Sequence, residues 1–138
     1  MEAKVTWKNE GLLMQGTADT GSVLELASGL DEGAPGFRPM ELLAIGLAGC
    51  TSMDVLSILK KKRQDVTDFE VRVHTENAEK HPHVWNEARL EYVISGRNID
   101  PKAVERAMDL SKTTYCPAQN MLNQSVEIEL SYTIIEVD

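Results

Sequence analysis

The chain has 138 residues, room for one ordinary domain with its own core and not for two. With 42% hydrophobic and 26% charged residues, its composition is globular rather than that of a disordered chain. The 14 Lys and Arg against 22 Asp and Glu leave a formal net charge of -8, which argues against nucleic acid or an anionic membrane surface as a partner.

Residues 4–8 and 12–17 read as two strands joined at the turn signal Glu10-Gly11, and 22–26 as a third. The stretch 28–37 holds Gly29, Gly33, Gly36 and Pro35 and reads as a loop. Pro39 suits the first turn of a helix that continues over 41–62. Up to Met53 apolar residues fall on nearly every side of it, the pattern of a helix buried all round, and Lys60 to Arg63 complement its negative end. Phe69, Val71 and Val73 alternate with charged residues in a half-buried strand over 66–75, and 84–95 reads as the next strand. Asp100-Pro101 is an N-cap and first helical residue, with Ala103, Val104, Ala107, Met108 and Ser111 at helical spacing behind it. A further helix starts at Cys116-Pro117, and residues 126–134 alternate as a final strand.

The order β-β-β-α-β-β-α-α-β, with grouped strands, specifies an α+β fold in one domain over 1–138. One sheet covers one face of a helix, so a central helix apolar on most faces calls for a second subunit, an obligate homodimer. The start of the chain shows no apolar leader, and the charge-free run of the apolar helix, 42–53, is twelve residues, too short to cross a bilayer. The expected address is the cytoplasm, where thiols stay reduced.

Two cysteines, 66 positions apart, fit neither a disulfide scaffold nor a zinc motif. Cys50 lies beside Gly46 and Gly49, each costing about 1 kcal/mol in a helix interior, so something must come close there. Cys116 as an N-cap faces free N–H groups, which lowers a thiol pKa. An attacking and a resolving thiol, and two inert core residues, both account for this pattern. His81-Pro82-His83 has ligand spacing but no cysteine or carboxylate pair beside it, so no metal is expected. Trp7 and Trp85 read as packing residues, and Met40, Met53, Met108 and Met121 as core or as the lining of an apolar pocket.

Pro39-Met40-Glu41-Leu42-Leu43-Ala44-Ile45-Gly46-Leu47-Ala48-Gly49-Cys50-Thr51-Ser52-Met53-Asp54 resembles the central-helix motif of the OsmC/Ohr family, and Tyr115-Cys116-Pro117 its second cysteine motif. The resemblance spans essentially the whole chain. It implies an OsmC-like fold, antiparallel sheets wrapped around long central helices in an intertwined homodimer. It implies a cysteine-based peroxidase for organic hydroperoxides, recycled by a dithiol, with no metal or organic cofactor. Cys50 then matches the peroxidatic cysteine, and Cys116 the resolving cysteine that pairs with it in a disulfide. Arg38 is the candidate for the family's thiolate-stabilising Arg, and Glu41 for the acid that pairs with it. The sequence departs from the family at Met40, where that Glu usually stands. The departure leaves two alternatives, a non-enzymatic small-molecule binding protein and a redox sensor.

Overall fold

The computed structural model describes all residues, 1–138. Its contacts divide the chain into two units, Met1–Ala44 and Ile45–Asp138. The element order is the one the sequence predicts.

The first unit holds an antiparallel meander of β1 (Ala3–Trp7), β2 (Met14–Ala18) and β3 (Val23–Leu26). Val5 lies opposite Gly16, Trp7 opposite Met14, and Met14 opposite Leu26, so one face is apolar. That face is not closed: Val5 is 62% exposed and Trp7 51%. Trp7 is therefore not a packing residue within the chain. Its indole N–H instead donates to the Gly11 carbonyl at 3.0 Å, tying down the first hairpin. The loop after β3 is closed at its base by Phe37 N–H to Glu25 O and Ala27 N–H to Phe37 O, both 2.9 Å.

The helix α1 (Pro39–Lys61) starts with proline as its first residue. Glu41 reaches back to the Arg38 amide at 2.7 Å, the reciprocal half of a capping box. At the other end Arg63 adopts a left-handed conformation (φ 58°), and Gln64 N–H closes on Leu59 O at 3.0 Å. The basic run 60–63 is thus a helix terminus, as expected.

Within one chain the helix is buried along one face only. Only Leu47, Thr51, Val55 and Leu59 are wholly enclosed, one stripe at four-residue spacing, whereas Ile45 is 52% and Met53 75% exposed. The expected short charge-free run also understates α1, which is long and apolar enough by length and composition to cross a membrane. One stripe of it is buried, and the mid-helix Asp54 is bonded to a buried hydroxyl.

In the second unit β4 (Asp65–Asn77) and β5 (Trp85–Arg97) form a long antiparallel hairpin. β6 (Ile128–Glu136) joins β5 in parallel, so this sheet is mixed, not antiparallel as expected. A parallel neighbour needs a crossover. Here α2 (Pro101–Leu110), a π-helical turn (Ser111–Tyr115) and α3 (Pro117–Leu122) supply it. Asp100 caps α2 by accepting from Lys102 N–H at 3.0 Å, and Ala103, Val104, Ala107 and Met108 are its buried face. β5 is the middle strand, and Leu90, Tyr92 and Ile94 on it are fully buried.

Candidate active site

Both cysteines are free thiols. Cys50 sits on α1 and is half-buried, while Cys116 is wholly buried. Pro117 cannot donate a backbone hydrogen bond and starts α3, so Cys116 becomes its N-cap and its Sγ accepts from Gln119 N–H at 3.3 Å. The Cys116 amide is held in turn by Ser111 O at 2.8 Å, the bond that closes the π-helical turn.

Gln119 links the two cysteine segments, its backbone N–H on Cys116 Sγ and its side chain on Thr51, which follows Cys50, and Cys50 is among the groups that raise the Cys116 thiol. The cap was expected to make Cys116 the more acidic thiol. Burial wins instead: it pushes the Cys116 thiol up to about 11, against the lowering pull of the Gln119 N–H, and neighbouring Cys50 and Asp54 push the same way. Cys116 is therefore held as a thiol at neutral pH.

A buried polar cluster beside the pair has no counterpart in the sequence reading. Thr51 Oγ1 lies 2.7 Å from Tyr92 Oη and 2.8 Å from Ser111 Oγ. Gln119 Nε2 donates to Thr51 Oγ1 at 3.0 Å and to Ser111 Oγ at 3.4 Å. Ser111 donates to Asp54 Oδ2 at 3.0 Å. Each hydroxyl has one hydrogen to give. With that of Ser111 on Asp54, Thr51 must donate to Ser111, and Tyr92 to Thr51. The chain of hydrogen bonds runs one way, from the buried phenol to the carboxylate. Its side chains come from α1, β5, the π-helical turn and α3, too far apart in sequence for any motif to join them.

Burial also pushes the Tyr92 hydroxyl up to about 12. The folded protein keeps this proton in a range where the unfolded chain, with an ordinary tyrosine near pH 10, has lost it. Tyr92 thus contributes stability that is complete below pH 10 and lost as pH rises to about 12. The amount is on the order of 2 to 3 kcal/mol. Urea unfolding at stepwise pH from 9 upward should show this decline, and Tyr92→Phe should flatten it, leaving the part due to Cys116. Equal slopes in wild type and variant would refute the assignment.

Glu41 does meet Arg38, but at its backbone amide and not at the guanidinium that the resemblance implies. Arg38 Nη1 is buried without a hydrogen-bond partner, so this cation has capacity left for an anion. Nothing in the chain lies within 4 Å of a Cβ added at Gly46 or Gly49, so the close approach their presence suggests is not made by the chain itself. Asp54 is engaged by Ser111.

A cleft of about 490 Å³ is lined by Met53, Asp54, Ser57, Ile58, Lys61, Lys62, Leu110 and Tyr115. Asp54 lies one turn past Cys50, and Tyr115 immediately precedes Cys116. The four methionines are not gathered around it: Met53 lines it, Met108 is in the core, and Met121 is 74% exposed. The His81 and His83 rings lie 4.1 Å apart at a tilt of 54°, and His83 Nδ1 is engaged by Ala78 O. Donor atoms of His74, Glu76 and Glu87 do converge within 4.8 Å across the β4–β5 hairpin, a register the sequence did not reveal. These are surface groups already paired, His74 with Glu76 at 2.8 Å and Glu87 with Arg89 at 3.2 Å.

Known proteins resemble this chain in sequence and fold. The family model described as OsmC-like protein matches residues 30–131. Protein YhfA of Escherichia coli strain K12 is 37% identical over 135 residues, 98% of each chain. The crystal structure of a hypothetical protein from Aquifex aeolicus VF5 superposes with a TM-score of 0.87 at 28% identity, over 99% of this chain and 97% of that one. The organic hydroperoxide resistance protein OhrB of Bacillus subtilis shares the fold, with a TM-score of 0.64 at 18% identity over 96% and 98% of the two chains. By the match of residues 30–131 to the family model and by its fold, the chain belongs to the OsmC-like protein family.

Proposed function

We propose that the protein is a thiol peroxidase that reduces organic hydroperoxides through a Cys50–Cys116 disulfide cycle. The observation that carries this reading is the meeting of two free thiols of unequal environment, Cys50 the more open and Cys116 enclosed and protonated. The Cys50 thiolate attacks the peroxide O–O bond. An S–O bond forms, the O–O bond breaks, and the alcohol leaves with a proton, so that Cys50 becomes a sulfenic acid. Cys116 then displaces its hydroxyl, which leaves as water with the Cys116 proton, and a cellular dithiol reduces the disulfide.

Arg38, with its unpaired buried nitrogen, supplies the cation for the thiolate. Glu41 serves indirectly, by fixing the Arg38 backbone at the helix start. No metal or organic cofactor takes part. We read residues 1–138 as one domain working in the cytoplasm as a homodimer. The second copy covers the exposed apolar residues of α1 and fills the space over Gly46 and Gly49.

The test treats reduced protein with tert-butyl or cumene hydroperoxide and follows intact mass, free thiols and turnover with a recycling dithiol. The expected result is loss of both thiols, a mass lower by two hydrogens, and sustained turnover, from a species that sediments as two copies. One stoichiometric oxidation without turnover means a redox sensor. No change in either thiol means a binding protein, the reading that Met40 in place of the family's Glu favours.

A further inference from the structure

We propose that Gln119 and Thr51 are positioning residues for the step in which Cys116 attacks oxidised Cys50, an inference that rests on the cysteine cycle set out above. The two sulfurs ride on different elements. Cys116 caps α3, a helix of six residues, too short to hold its own place. Gln119 bridges the gap. Its backbone N–H holds Cys116 Sγ, and its side chain donates to Thr51, the residue that follows Cys50 on α1. Ser111 closes the circuit, its carbonyl on the Cys116 amide and its hydroxyl in the same cluster.

Thr51 and Ser111 are fully buried and Gln119 is 2% exposed. Apolar residues of like volume would fill that space at no loss of stability. What a directed polar cluster adds is one fixed geometry. A displacement of about 1 Å between reacting atoms is enough to slow a step by as much as about a hundredfold.

The resolving step can be isolated without peroxide, using the aromatic disulfide 5,5'-dithiobis(2-nitrobenzoate). Cys50 displaces one thionitrobenzoate and forms a mixed disulfide. Cys116 then attacks the Cys50 sulfur, breaking the mixed S–S bond and forming Cys50–Cys116. The second thionitrobenzoate leaves, and the Cys116 proton passes to buffer. Gln119→Met keeps length, helix propensity and the capping N–H. It should slow the second release by about tenfold or more and leave the first within about twofold. Thr51→Val should do the same, and Thr51→Ser, which restores the hydroxyl, should recover the wild-type rate.

A second release at wild-type speed in both variants, with circular dichroism showing the fold intact, overturns the proposal, as does equal slowing of both releases. If Thr51→Val does not fold, Gln119→Met decides alone. Wild-type protein that gives both releases but ignores hydroperoxide overturns the peroxidase reading and leaves the positioning standing. Wild-type protein that gives only one release overturns both.

Discussion

Replacing Cys50 by Ser should abolish hydroperoxide reduction, by a factor on the order of 10³ or more, because it removes the group that attacks. Cys116→Ser should behave differently. It should consume one equivalent of peroxide, stop at the Cys50 sulfenic acid, and over-oxidise with excess peroxide. The asymmetry follows from burial. A thiol held at about 11 is ionised to only about one part in 10⁴ at pH 7, so Cys116 cannot compete as the first nucleophile. Once Cys50 is oxidised, the same enclosed sulfur faces an electrophile at close range and needs no standing population of thiolate. Intact mass with a sulfenic-acid trap distinguishes the variants. If Cys50→Ser is still oxidised at the wild-type rate while Cys116→Ser is inert, the roles are reversed and the cap, not burial, governs.

That contrast marks the limit of what was legible in the sequence. Local signals were readable because they act over a few residues. Pro39, Asp100-Pro101 and Cys116-Pro117 each begin a helix where expected, and the alternation of Phe69, Val71 and Val73 is a strand. The N-cap position of Cys116 was readable for the same reason. Its acidity was not, since desolvation depends on what other elements pack over the sulfur, and that term exceeds the cap. The direction of β6 was hidden too. An alternating strand looks the same in a parallel or an antiparallel pair, and only the helical crossover makes the parallel pairing with β5 possible.

Apolar content of α1 was a readable quantity, but it does not say which face one chain encloses, here a single stripe from Leu47 to Leu59. The polar cluster was the least legible feature. Thr51, Tyr92, Ser111 and Gln119 are common residues with no spacing rule, and only the packing of α1, β5 and the crossover makes them a unit. Asp54 shows the same limit. Sequence places it one turn from Cys50, and only the fold puts it at the end of the hydroxyl chain.

The largest effect on stability is expected at Gly96, near the end of β5. A Cβ there would collide with Asp65 O and sit 2.7 Å from Ile99 Cδ1. The first is backbone of the paired strand and cannot rotate aside. The second belongs to a buried side chain, 7% exposed. The strand cannot shift away either, because β6 holds its other edge, with Gly96 opposite Glu136 and Val137 N–H on Gly96 O at 3.0 Å. Gly96→Ala should therefore cost about 3 kcal/mol or more, at the upper end of overpacking penalties. Gly16→Ala is the control. Its nearest neighbours are the Leu26 and Leu24 Cδ1 atoms at 3.1 and 3.4 Å, ends of flexible side chains that can give way, so the cost should stay within about 1 kcal/mol. Urea unfolding of both variants measures the difference. A Gly96→Ala protein as stable as Gly16→Ala would mean that the β4–β5 pairing opens at this end with little resistance, and that the sheet is not clamped from both sides at Gly96.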